Sequence, residues 1–136
     1  MAVRNSRELG ENLQKIVTRL MANDKLVNLL YYTDKDPLKQ PPLSDEQKRH
    51  EIYEKLIKVI PRFGPKEDAK SIISIRVVKA SKLISNSEFK NITIAIEVLT
   101  PLTQWMIKDS NLRPFAILGE LQESLEGKTI NGLGKM

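Results

Sequence analysis

His50 is the single histidine of the chain, and it stands in EQKRHEIYEK with Glu51 and Glu54 close behind it. A histidine beside carboxylates is a possible proton shuttle or metal ligand, because its charge changes near neutral pH. A metalloprotease helix, however, needs two histidines four residues apart with glutamate beside the first, and this chain has no second histidine. With charged residues on both sides, His50 reads as a solvated side chain on the polar side of a helix. Cysteine is absent, which excludes a thiolate nucleophile, a Cys-ligated zinc and any disulfide framework. No Ser, Asp or Lys stands in a recognisable nucleophile setting.

Two weaker motifs complete the inventory. NGLGKM at the C-terminus sets Gly132 and Gly134 before Lys135, but the residues that open a phosphate loop, its Ser or Thr and its helix are missing, so a glycine-containing turn is expected. Acidic residues fall singly or in pairs, Asp34 with Asp36 and Asp45 with Glu46. That is too few oxygen ligands in a row for a calcium loop, and the second pair suits a helix N-terminus. The residues therefore point to no catalytic site, no bound cofactor, no metal and no enzyme.

The remaining chemistry is charge. Lys and Arg number 22 against 17 Asp and Glu, for a net charge of +5. Both signs interleave along the chain, so this is a weak argument for nucleic acid. Lys79, Lys82 and Lys90, with Lys66, Lys70 and Arg76 before them, are the candidates for phosphate contacts. Phe89 alone could stack on a base there, which speaks against base reading.

The elements that must carry these residues follow from periodicity. A chain of 136 residues is expected to form one domain. Leu9, Leu13, Ile16, Val17, Leu20 and Met21 line one face of a helix opened by Ser6. Asn23 caps a second, short helix through Tyr31, so that 1–31 forms an N-terminal helical segment. Ser44 and Gln47 form a capping box, and Ile52, Tyr53, Leu56, Ile57 and Ile60 predict a third helix over 44–60, stopped by Pro61 and Gly64. From Ser71 the period becomes two: Ile73, Ile75 and Val77 share one strand face, with Ser74, Arg76 and Val78 on the other. Ile92, Ile94, Ile96 and Val98 mark a second strand, paired antiparallel with the first through a long polar hairpin end. A late helix has Pro114 in its first turn, Ile117, Leu118, Leu121 and Leu125 inward and Gly127 as its stop, and TINGLGKM could add a short final strand. Helices and an antiparallel sheet kept apart define an α+β class, with 71–136 as a β-β-α-β core.

YYTDKDPLKQPPL, Tyr31 to Leu43, carries three prolines. A peptide-ligand reading lacks a convincing Pro-x-x-P register, and a linker reading fails because neither flanking helix could stand alone. It is expected as an extended, stiffened surface loop over 32–43, with Leu38 and Leu43 as the apolar groups able to grip a neighbour. Trp105 reads either as a half-buried cover for the sheet edge or as an interface anchor. No apolar run approaches the length of a membrane span, and MAVRNSRELGENL lacks the apolar core of a secretory signal, so the product is expected in the cytoplasm when made.

The second half, ITIAIEVLTPLTQWMIKDSNLRPFAILGELQESLEGKTINGLG, resembles the small neck and tail-terminator, or tail-completion, proteins of tailed bacteriophages in its progression of strand, Trp, Arg-Pro, helix and Gly. The resemblance implies a structural virion protein without catalysis: a homo-oligomeric ring, six subunits being the expected number, that caps the tail tube and meets the head-side connector or neck proteins. It implies a place in the virion neck or tail, contact with channel DNA only through phosphates, and no membrane partner. The interface set it suggests is Leu38, Leu43, Lys79, Lys82, Lys90, Trp105 and Arg113. A small basic nucleic-acid-binding or regulatory module, using the hairpin lysines and the helices, is the alternative.

Overall fold

The computed structural model describes residues 2–59, 70–82, 90–108, 111–126, 129–130 and 134–135. Ile60, Pro61, Gly64, Lys66, Phe89, Gly127 and Gly132 lie outside the described residues, as does the hairpin tip between Lys82 and Lys90. In chain order the elements are β1 (Ala2–Val3), α1 (Ser6–Met21), α2 (Asp24–Tyr31), a 3-10 turn (Pro37–Lys39), α3 (Asp45–Glu51), β2 (Ile57–Val59), β3 (Ile72–Lys82) and β4 (Lys90–Leu99). A second 3-10 turn (Leu102–Gln104), β5 (Met106–Ile107), β6 (Asn111–Leu112), α4 (Arg113–Leu125), β7 (Thr129–Ile130) and β8 (Gly134–Lys135) complete them. The fold is α+β, as the periodicity predicts.

The helix starts follow from side-chain caps that satisfy first-turn N–H groups. Asn5, one residue before the expected Ser6, accepts from the Glu8 N–H of α1 at 2.9 Å. Asn23 accepts from the Leu26 N–H of α2 at 3.2 Å. Asn23 also donates to Ser124 Oγ at 2.8 Å, so the α1–α2 bend is tied to α4. Ser44 and Gln47 form the reciprocal capping box of α3.

The main sheet has the order β1-β4-β3-β2. β3 and β4 pair antiparallel from Ile72↔Leu99 to Lys82↔Lys90. Against them lies one core: Ile16, Val17 and Leu20 of α1, Leu26, Val27, Leu29 and Leu30 of α2, Ile73 and Ile75 of β3, and Ile117, Leu121 and Leu125 of α4 are all buried. Ile94, Ile96 and Val98 are half-buried against it.

Several expectations are corrected. The helix predicted over 44–60 ends at Glu51, and Ile57–Val59 form β2, which runs parallel to β3 in the register Ile57↔Ile73. The main sheet is therefore mixed, not wholly antiparallel. The Tyr53 N–H reaches back to the Lys48 carbonyl, Glu54 takes a left-handed φ of 61°, and the chain reverses into the strand. The spacing of Ile52, Leu56 and Ile57 suits a helix, yet the β-branched Ile57 and Val59 gain more by pairing with β3, where Ile57 is wholly buried. Leu118, expected inward, lies on the outer side of α4. The C-terminal residues give two short strands, β7 and β8, paired with each other and not with the main sheet.

Candidate interaction surface

Arg113, at the start of α4, is fully buried. Its Nη1 donates to the carbonyls of Leu29 at 2.6 Å and Tyr32 at 2.8 Å, its Nη2 to Asp34 O at 2.6 Å, and its Nε to Gln104 O at 2.9 Å. The acceptors include carbonyls at the C-terminal end of α2, which lack helical partners and carry the negative end of its dipole. Burial lowers the guanidinium pKa below the usual arginine value, and Asp34 pulls it the other way.

This clamp orders the proline-containing loop. Asn28 Nδ2 donates to Gln40 O at 2.9 Å, the Tyr32 hydroxyl to Pro41 O at 2.8 Å, and Lys108 Nζ pairs with Asp36 at 2.6 Å. The loop is strapped to the body along its length and does not project as an arm. Leu38 stands out on its 3-10 turn at 52% exposure, whereas Leu43, at 6%, belongs to the core. Leu43 and Arg113 thus face inward and are corrected as surface groups of this chain.

Trp105 is half-buried, its indole N–H donating to the Thr100 carbonyl at 2.9 Å. Lys70 donates to the Tyr31 carbonyl at 2.7 Å and lies 3.8 Å from the centre of the Tyr31 ring, so it closes the end of α2. Arg76 pairs with Glu97 across β3 and β4. Lys70 is thus engaged at the end of α2, and Arg76 through its Nε across the two strands. Lys79 is exposed, and the register sets Lys82 opposite Lys90 three residues further toward the distal end of the hairpin.

His50 is solvated, with 72% of its side chain exposed. Among the described residues no group of three or more His, Asp or Glu could hold a metal ion. A cleft of about 390 Å³ between α1 and the turn before β2 is lined by Gln14, Val17, Tyr53, Glu54, Ile57, Lys58 and Val59. Inside it the Tyr53 hydroxyl donates to Gln14 Oε1 at 3.0 Å.

Two features face outward. β1 covers only Asn91 and Lys90 of β4, so among the described residues no strand pairs with the outer edge of β4 from Thr93 to Leu99. Beyond that edge, Leu102, Met106, Phe115 and Leu118 are 84%, 68%, 59% and 40% exposed. Met106 is the register partner of Leu112, and the Arg113 N–H donates to Trp105 O at 2.6 Å, which holds β5 against the start of α4. Sequence reasoning missed this patch, although Phe115 and Leu118 are a helical i, i+3 pair whose outward phase is readable once Ile117 and Leu121 are placed inside.

A small α+β protein with an open strand edge and an apolar outer patch is the class these features define. A family model described as YomW matches residues 23–136, from the cap of α2 onward. The chain belongs to the YomW family, which is phage-derived. No match was found among curated proteins or among solved structures. No helix of the described residues is long and apolar enough to cross a membrane.

Proposed function

We propose that this phage-associated protein is a structural, non-catalytic virion subunit. It assembles with copies of itself into a ring at the head–tail junction, where it caps the tail tube and meets the head-side connector. The observation that carries this reading is the open edge of β4 from Thr93 to Leu99. Seven residues of unpaired strand are a template for another chain, and natural proteins cover such edges by pairing, charge or closure. Here the edge holds one charged residue, Glu97, already engaged by Arg76. Pairing with a neighbour removes the hazard, and repeated around an axis it closes a ring. Native mass spectrometry of the purified chain, alone and with tail tubes, tests this: a multiple of the chain mass is expected, and monomers in both conditions contradict it.

The three lysine positions at the hairpin end favour a second reading, a small basic nucleic-acid-binding module. Contacts of that kind reach phosphates without reading sequence. In a ring the same lysines would line or border the DNA channel, so the two readings differ in whether binding requires assembly.

A further inference from the structure

Gly119 sits in the middle of α4, where glycine is a poorer choice than alanine because its backbone has more freedom to lose. A Cβ built on it would meet nothing within 4 Å, so no neighbour inside the fold requires its absence. An approach from outside the fold would use that space. Gly10 of α1 is open in the same way, but the exposed residues a turn away from it, Arg7, Glu11 and Gln14, are polar.

Around Gly119 the helix is uncharged and largely apolar. At about 3.6 residues per turn, Phe115 one turn before it and Gln122 one turn after it share its outward line, with Leu118 alongside. Phe115 and Leu118 are 59% and 40% exposed, and Gln122 is exposed. The acidic residues of the helix turn elsewhere. Glu120 accepts from Asn23 Nδ2 at 3.2 Å, Glu123 borders a hollow with Arg19 and Asn23, and Glu126 follows the last turn. The outward line therefore holds a protruding ring and, four residues on, a gap in the same i, i+4 ridge.

A ring and a gap on one ridge complement a second copy of themselves. When two α4 helices lie antiparallel about a two-fold axis level with Ile117, Phe115 of each falls over Gly119 of the other, and the two Leu118 side chains meet across the axis. The same axis sets Gln122 level with Leu112 of the other copy, whose register partner Met106 is 68% exposed. We infer that α4 pairs with α4 of a second copy through this seat, in an isologous dimer. Phe115, Leu118 and Met106 expose apolar area on the order of 300 Å² per copy. That is short of the roughly 800 Å² per partner of a standard interface, so the dimer is weak and depends on concentration. The contact leaves the β4 edge free, and so goes beyond the ring reading without resting on it.

Sedimentation velocity from about 10 to about 500 µM, with circular dichroism to confirm folding, compares the wild type, Gly119→Ala, Gly119→Phe and the exchange variant that combines Phe115→Gly with Gly119→Phe. The wild type should show a monomer–dimer equilibrium. Gly119→Ala should move two readings in opposite directions: a folding equilibrium constant roughly two- to fivefold higher, from helix propensity, and dimerisation about tenfold weaker, from the filled gap. Gly119→Phe sets ring against ring and should be monomeric, whereas the exchange variant transposes ring and gap about the same axis and should dimerise again. If the exchange variant does not fold, oxidation of Leu118→Cys replaces it. The chain has no cysteine of its own, so the disulfide joins two copies, and it should form faster than in Lys79→Cys; equal rates overturn the inference. So does a wild type that is monomeric throughout, a Gly119→Ala or Gly119→Phe variant that associates as the wild type does, or an exchange variant that folds yet stays monomeric. None of these results touches the ring reading, whose β4 edge every variant keeps.

Discussion

Arg113 Nη1 lies 2.6 Å from the carbonyl oxygen of Leu29, a residue 84 positions earlier in the chain. Through this bond and its three companions, one buried cation ties the end of α2, the proline-containing loop and the turn before β5 to the start of α4. Removing it strands carbonyls in the interior, and an unsatisfied buried acceptor costs about 1–3 kcal/mol. Arg113→Met is expected to lower stability by about 3–5 kcal/mol in chemical denaturation. Arg113→Lys, which keeps the charge but loses the planar fork, should fall between.

The pH dependence of that contribution has a definite sign. Burial depresses the folded-state pKa of Arg113 relative to the unfolded chain. Between the two values the unfolded state holds more protons, so stability rises with pH only there, in strong alkali. From about pH 5 to 9 the arginine stays charged and its contribution is flat. Denaturation midpoints of wild type and Arg113→Met should therefore keep a constant separation across that range.

Leu38 and Leu43 give a sharp contrast within five residues. Leu38→Ala removes an exposed side chain and should change stability by less than about 0.5 kcal/mol. Leu43→Ala empties a core position and should cost about 2–4 kcal/mol. Equal effects in thermal or urea unfolding would contradict the loop packing described above.

Glu54 holds a left-handed backbone with φ of 61°. A side chain there costs about 1–2 kcal/mol that glycine escapes, partly offset by the greater freedom of glycine in the unfolded chain. Glu54→Gly should stabilise the protein by roughly 0.5–1 kcal/mol, read as a rise in the urea midpoint. An Ala at the same site should bring no such gain.

Much of the architecture is legible from short-range chemistry. Asn23, Ser44 with Gln47, and Pro114 each act within one turn of a helix, so their roles survive folding unchanged. The alternation of Ile92, Ile94, Ile96 and Val98 places β4 for the same reason. What escaped depends on partners distant in sequence. Ile52, Leu56 and Ile57 satisfy a helical period and a turn-plus-strand equally well, and only the presence of β3 decides between them. Arg113 reads as a surface cation until the carbonyls of Leu29, Tyr32 and Asp34 are brought to it. Val77 keeps the register of Ile73 and Ile75, opposite Ile94, yet is exposed, and the slip of β3 that follows it leaves no mark in the sequence. The exposure of Leu102, Met106 and Phe115 was hidden because they carry no motif, and it is legible only once β5 is held against the start of α4 by the Arg113 to Trp105 backbone bond.

The hairpin lysines separate the two functional readings. Replacing Lys79, Lys82 and Lys90 by Gln should abolish any gel shift with duplex DNA at low salt, yet leave the circular dichroism spectrum unchanged. If DNA binding is the whole function, the wild-type monomer should bind on its own; in the ring account binding appears only with assembly, and weakens steeply as salt rises.

Electron cryomicroscopy of tail tubes incubated with the purified chain tests the central claim most directly. The account predicts a closed ring of copies seated at one tube end, with a mass of six times the 15.5 kDa chain as the expected stoichiometry. Bare tube ends, with the chain left in solution as monomers, would contradict it.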